Sequence, residues 1–275
     1  GLNFMFDENT ERLAAEEWLR SVFAIEQTGD LHTLSPELAN DPRMIRGREL
    51  WTVAAYAEAQ DEFDALMDEA RISGDALRAY QLAHFFRDIG DYYSSIVAAA
   101  DVIVATGQST LDVPPYLARM RYPAYYIGLI EEQAAIYGFD PLLMLGLIRQ
   151  ESLFNPNATS VANALGLAQV IPPTAIYIAG ELGRENFNDS DLYRPYVAVS
   201  FGAFYLDEQL RIFDGNKAAA LAAYNAGPGY TLDWYNLSGG DIDAFVATIT
   251  FDETKRYVQR IYSHYTIYRE LYGTD

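Results

Sequence analysis

The chain has 275 residues, half of them hydrophobic, and 19 Lys and Arg against 39 Asp and Glu give it a formal charge of −20. So acidic a chain disfavours nucleic-acid phosphates and anionic membrane surfaces as partners, because both would be repelled. The absence of Cys excludes disulfides and thiolate chemistry, and His32, His84 and His264 have no metal-ligand spacing, so neither a metal nor a cofactor is expected.

No apolar run reaches the roughly 18 residues of a membrane-spanning helix. The chain opens on Gly1 rather than Met, which raises the expectation that a signal peptide, lipid anchor or longer N-terminal region has been removed. Leu13, Ala14, Trp18, Leu19, Val22 and Phe23 recur at helical spacing and predict an amphipathic helix over residues 10–28, stopped by Gly29 and Asp30. Residues 34–43 carry Ser35, Pro36, Asp41 and Pro42 and read as a connection with one short helical turn. Leu50, Ala54, Tyr56 and Ala59 then align with Phe86, Gly90, Tyr92 and Ser95 at a constant offset of 36 positions. That spacing is near the tetratricopeptide period and predicts two degenerate helix pairs, a TPR-like array. Such an array either supports its neighbour or offers a surface to protein partners. Residues 106–115, TGQSTLDVPP, interrupt the helical pattern, so the expected division is an α-helical region over 1–110 and a second domain over 111–275.

In the second region a helix over 125–137 ends at Gly138. Asp140 and Pro141 then cap and start another, running through Leu142, Leu143, Met144, Leu145, Leu147 and Ile148. A helix apolar on all sides is buried, so Glu151 leaves the core at its C-terminal end. Desolvation and the negative end of the helix dipole both oppose a carboxylate there, which would leave a proton-holding general acid. The same spacing fits a solvent-exposed helix end paired with Arg149 or Arg184. Residues 154–164, rich in Asn, Pro, Ser and Thr, form a loop. Helices are expected from Pro172, over 196–213, over 217–224 after an Asn216 cap, and over 253–271, with Gly227, Pro228 and Gly229 ending the third. Gly239 and Gly240 mark a turn, and no alternating strand pattern occurs.

Four pieces stand out together: Glu151-Ser152, Gly166-Leu167-Ala168-Gln169, Tyr224-Asn225-Ala226-Gly227, and Glu253-Thr254-Lys255-Arg256-Tyr257-Val258. In order and spacing they resemble the soluble lytic transglycosylases, whose goose-lysozyme-like domain cleaves the glycan strands of bacterial peptidoglycan. The resemblance extends from Arg121 to about Tyr262, and IRQES followed by FNPNA is its most specific part. It implies an all-α fold in which a TPR-like superhelical region precedes a lysozyme-like catalytic domain. It also implies export to the periplasm or cell envelope, with peptidoglycan as partner.

The resemblance makes Glu151 the single catalytic acid and base. The reaction it implies is cleavage of the β-1,4 bond between N-acetylmuramic acid and N-acetylglucosamine without water, leaving a 1,6-anhydromuramyl end. Ser160 matches a serine facing the acetamido group, Gln169 a groove glutamine, and Tyr224 and Asn225 the AYNAG motif, whose Tyr shares a hydrogen bond with the carboxylate. Glu253 and Tyr257 match a late motif that contacts sugar. Without the resemblance Ser160 is a turn serine, Gln169 a loop amide, Tyr224 and Asn225 a helix end, and Glu253 and Tyr257 surface positions. Ala168 and Ile171 stand where the family has methionines, so an altered apolar groove wall is expected. The alternatives are a muramidase-type hydrolase, with Glu253 as second carboxylate, and a catalytically weak glycan-binding scaffold.

Overall fold

The computed structural model describes residues 1–274, apart from the side chains of residues 242 and 243. Fifteen α-helices are found among the described residues, with β structure limited there to isolated bridges, in keeping with the all-α expectation. The chain divides into two compact units, Gly1–Pro123 with Glu270–Asp275, and Ala124–Arg269.

The first unit starts with α1 (Glu8–Phe23), whose Asp7 cap accepts the Thr10 amide. The helix stops short of Gly29. Ala24 turns left-handed at φ 50°, Ala24 and Ile25 both return their amides to the Arg20 carbonyl, and the Arg20 guanidinium binds the carbonyls of Gln27 and Gly29. These bonds satisfy the helix end five residues before the expected glycine. The one-turn α2 (Pro36–Ala39) precedes two helical hairpins, α3 (Pro42–Thr52) with α4 (Tyr56–Ser73), and α5 (Ala76–Ile89) with α6 (Tyr92–Thr106).

The 36-residue offset has a physical counterpart in these hairpins. Ala54 and Gly90 both take left-handed conformations in the turns, Tyr56 and Tyr92 both open the second helix, and Ala59 and Ser95 are both buried. Gly47 lets α3 and α4 approach, since a Cβ there would lie 2.4 Å from the Phe63 ring. Trp51 ties the pairs together through Nε1 to the Ile89 carbonyl at 3.0 Å.

The compact first unit extends past residue 110. Pro115 occupies the first position of α7 (Pro115–Arg121), where proline is well tolerated, so the paired prolines start a helix instead of forming a linker. Its Tyr116, Leu117, Ala118 and Met120 are buried in the same apolar cluster as α1 and α3–α6.

A polar knot lies inside this unit. Glu16 is 1% exposed and accepts from Arg12 at 2.7 Å and from the Tyr80 hydroxyl at 3.4 Å, with His32 Nδ1 at 3.2 Å. His84, also 1% exposed, is ringed by Tyr80, Tyr116 and His32, and neither ring nitrogen has a hydrogen-bond partner among the described residues.

In the second unit α8 (Ile127–Tyr137) ends on Gly138 and leads into α9 (Pro141–Ser152). Asp140 caps α9 by accepting the Leu142 amide at 2.9 Å and also accepts the Tyr265 hydroxyl at 2.5 Å. Every residue of α9 from Leu142 to Ile148 is buried, so the helix runs through the core of this unit. The remaining elements are α10 (Pro172–Glu181), a 3-10 turn (Asp189–Tyr193), α11 (Pro195–Ile212), α12 (Lys217–Ala226), α13 (Pro228–Leu237), α14 (Ile242–Thr248) and α15 (Asp252–Tyr272). Gly227, Pro228 and Gly229 therefore do more than end α12. Gly227 turns the chain at φ 88° and Pro228 starts α13 at once.

Burial with two cationic neighbours, Arg87 and Arg12, drives the His84 pKa down to about 2 from an ordinary 6.5. A depressed folded-state pKa on a base gives stability that is present above pH 6.5 and is lost as pH falls below it. Replacing His84 with Phe is expected to leave the thermal midpoint near wild type at pH 7 and raise it relative to wild type at pH 4. Equal midpoint losses in both proteins between those pH values would refute this.

Candidate active site

The site is built where α9 ends. Leu153 and Phe154 are both left-handed, at φ 47° and 62°, which reverses the chain immediately beyond Glu151-Ser152. Phe154 is buried and meets the Tyr125 ring edge-on at 5.8 Å, so the reversal is anchored in the core. Residues 158–170 form an irregular loop held by the bridges Thr159–Leu165 and Leu165–Val170.

Three consecutive carbonyls of this loop each receive a side-chain donor. Gln169 Nε2 donates to Gly166 at 2.8 Å, Ser152 Oγ to Leu167 at 2.8 Å, and the Tyr224 hydroxyl to Ala168 at 2.8 Å. The loop is thus fastened to itself, to α9 and to α12. Gly166 is needed for two reasons: its φ is 70°, and a Cβ would lie 2.0 Å from the Leu192 carbonyl oxygen. Gly202, in the middle of α11, gives room for the same cluster, because a Cβ there would meet Ala168 Cβ at 2.5 Å and the Tyr224 hydroxyl at 3.2 Å.

Glu151 is half-buried, and its Oε1 accepts the hydroxyl of Tyr257 from α15. Burial pushes its pKa up to about 7 from an ordinary 4.5, and the Tyr257 hydrogen bond opposes part of that rise. Tyr257 is itself buried. Burial first, and then the Glu151 charge, hold its pKa well above 10, so it remains a protonated donor. Arg184, offered by the spacing as a partner for Glu151, lies instead over the rings of Tyr196 and Phe201, 5.5 Å from each centroid.

Other sequence-selected residues fall around this pair to different degrees. Tyr224 comes close enough for the Glu151 charge to raise its pKa, after burial, but its hydroxyl is committed to Ala168. The tyrosine that bonds the carboxylate is Tyr257, which corrects the expected Tyr224 contact. Its burial also corrects the surface reading of Tyr257. Asn225 is exposed, and its Oδ1 accepts the buried Thr254 hydroxyl at 2.7 Å, which leaves the amide hydrogens as its outward-facing polarity.

Ser160 is half-buried, and its Oγ accepts the Ala164 amide at 3.0 Å, a turn-serine contact that keeps the hydroxyl proton for donation. Gln169 also donates to the Ala158 carbonyl at 3.2 Å; with both amide donors on the loop, its Oε1 is its remaining polar contact. Glu253 is exposed in the first turn of α15, with no hydrogen bond or ion pair among the described residues. Ala168 is wholly buried against Gly202, so its side chain forms no groove wall, whereas Ile171 is 41% exposed.

Thr254 and Gly202 escaped selection from the sequence. Thr254 lies within the late motif itself. Gly202 carried a signal: glycine inside a helix costs about 1 kcal/mol relative to alanine and calls for a packing reason.

Residues 128–244 match the family described as the transglycosylase SLT domain. The soluble lytic murein transglycosylase of Salmonella typhimurium is 33% identical over 156 residues, covering 56% of this chain and 24% of that protein. The chain therefore spans about a quarter of the length of that curated relative. Among solved structures, the 70 kDa soluble lytic transglycosylase of Escherichia coli is similar with a TM-score of 0.72 and 25% identity, over 96% of this chain and 44% of that one. An inactive glutamate-to-glutamine variant of the lytic transglycosylase Slt from Pseudomonas aeruginosa is similar with a TM-score of 0.70 and 25% identity, over 96% of this chain and 43% of that one.

Two outcomes test this geometry. Tyr257→Phe removes the donor that favours the charged carboxylate, so Glu151 is expected to titrate at higher pH than in wild type; a carboxyl-carbon NMR titration with an unmoved or lowered midpoint would contradict the assignment. Gly166→Ala adds left-handed strain to a clash with backbone, and a loss of at least about 2 kcal/mol in denaturant unfolding is expected. A loss under half of that would show that the loop can yield.

Proposed function

Taking as premise that residues 128–244 are a transglycosylase SLT domain, we propose that this chain cleaves the β-1,4 bond between N-acetylmuramic acid and N-acetylglucosamine in peptidoglycan and leaves a 1,6-anhydromuramyl end. The observation that carries the proposal is a single carboxyl group with its pKa at about 7, set by burial and by Tyr257, with no second carboxylate acting on it among the described residues.

Glycosidases of the ordinary kind place two carboxyl groups about the scissile bond, roughly 5 Å apart for retention and 6.5–9.5 Å for inversion, with substrate-assisted enzymes as exceptions. A lone carboxyl group must do both halves of the proton transfer in turn. Neutral Glu151 gives its proton to the glycosidic oxygen as the bond to C1 breaks, and the muramyl acetamido oxygen supports the positive charge on C1. Ser160, whose Oγ is oriented by the Ala164 amide, hydrogen-bonds that acetamido group through its hydroxyl and orients it.

Glu151, now a carboxylate, takes the proton of the muramyl C6 hydroxyl as that oxygen bonds to C1. The carboxyl group is restored and no water is consumed. Tyr257 keeps the anionic intermediate state of Glu151 within reach by hydrogen-bonding it, and a pKa near 7 serves donation and abstraction alike. Asn225, Gln169 and Glu253 contribute polar contacts to the strand. Such chemistry places the protein's work in the cell envelope, and the helical first unit is the candidate surface for protein partners.

Digestion of purified peptidoglycan followed by mass analysis is expected to give muropeptides with anhydro ends, and Glu151→Gln to lower turnover at least about a thousandfold. Turnover should fall as pH rises through about 7, where Glu151 loses its proton. Reducing-end products in place of anhydro ends would replace this reading with a muramidase. Unchanged turnover in Glu151→Gln would remove Glu151 as the acid and base, and no turnover by the wild-type chain would remove the enzyme reading.

A further inference from the structure

Two exposed aromatic rings beside the site take no part in this proton chemistry. Tyr230, near the start of α13, is 58% exposed, and Phe251, immediately before α15, is 42% exposed. Their rings meet edge to face with centroids 5.0 Å apart, and Trp234 supports both, at 6.4 Å from Tyr230 and 5.1 Å from Phe251. Trp234 is 4% exposed, and its Nε1 donates to Thr250 Oγ1 at 3.1 Å, so the surface rests on a fixed base. Ordered apolar rings left open to water at this position call for a ligand, since folding alone gains little from exposing them.

Their place relative to Glu151 is set by α15. Tyr257 on that helix holds the Glu151 carboxyl group, Thr254 holds Asn225, and Phe251 stands six positions before Tyr257, a rise of about 9 Å along the helix direction. Tyr230 is reached from the other side, since α13 starts directly after the turn that follows Asn225 and Ala226. In the bonded pair, Asn225 thus lies five positions before Tyr230 and Thr254 three positions after Phe251 in the chain.

We propose that Tyr230 and Phe251 form an outer sugar-binding surface on which saccharides farther along the same glycan strand stack; this rests on the peptidoglycan reading given above. A pyranose ring has an apolar C–H face that matches an aromatic ring, while its hydroxyls stay in water. Asp252 and Glu253 adjoin the pair and are exposed, so they repel the carboxylates of stem peptides and favour the uncharged sugar backbone as occupant. The surface lengthens the recognised strand and makes cleavage depend on strand length.

The test uses glycan strands of graded length with stem peptides removed, and the full chain. Tyr230→Ala is expected to lower kcat/KM roughly fivefold on long strands, with the loss shrinking as strands shorten, and Tyr230→Trp to retain wild-type values. In the Glu151→Gln background, where cleavage is blocked, affinity for long strands should fall by a similar factor on adding Tyr230→Ala. A loss equal at all lengths, no loss, or a loss only when stem peptides are present would each overturn the proposal. The affinity arm reads the surface without turnover, so failure of the catalytic reading, seen as unchanged turnover in Glu151→Gln, is distinguishable from failure of the aromatic surface.

Discussion

The second unit depends on the desolvation of one carboxyl group. A carboxylate at Glu151 would lose hydration to the apolar surroundings of α9, and no cationic side chain among the described residues figures in its pKa, which burial raises. The protonated form is therefore kept well above the pH at which an ordinary glutamate ionises. This holds only if α9 cannot tilt its last turn into solvent. The buried run from Leu142 to Ile148 fixes the helix in the core, and the left-handed pair Leu153 and Phe154 stops it where the carboxyl group is half-buried.

One group tempers that environment. The Tyr257 hydroxyl stabilises the anion that burial penalises, and its buried position keeps it a donor throughout the working pH range. Two helices distant in sequence share control of one acid: α9 sets the desolvation and α15 sets the compensating hydrogen bond. Small changes in the position of α15 would alter acid strength without touching Glu151. Tyr224, from α12, acts on the adjoining loop instead and shapes the surroundings of the carboxyl group through the Ala168 carbonyl.

Much of this was legible in the sequence because it rests on local rules. The Asp140 cap, Pro141 at the first helical position, the all-round apolar α9 and the paired hairpins of the first unit are each visible within a few turns of helix. What escaped depended on contacts between distant segments or on how an end is satisfied. Ala24 ended α1 through bonds to Arg20, and Pro115 and Pro228 began helices where the composition suggested a linker and a terminator. The division of labour between Tyr224 and Tyr257 was hidden because both lie at motif positions; it is the fold that brings the Tyr224 hydroxyl to the Ala168 carbonyl and the Tyr257 hydroxyl to Glu151. Ser160 makes the turn-serine contact that composition suggests, accepting the Ala164 amide, and its hydroxyl proton stays free for donation.

The three fastened carbonyls of Gly166, Leu167 and Ala168 have a consequence for ligand recognition. A free loop of this length would have to be ordered by the ligand, at a cost of roughly 1–2 kcal/mol for each residue immobilised. Here side chains from α9, α12 and the loop itself impose that order during folding, before any ligand binds. The wall beside Glu151 is preorganised, so on the proposed peptidoglycan reading binding free energy from the strand would be left to distort and position the sugar rather than to assemble its site.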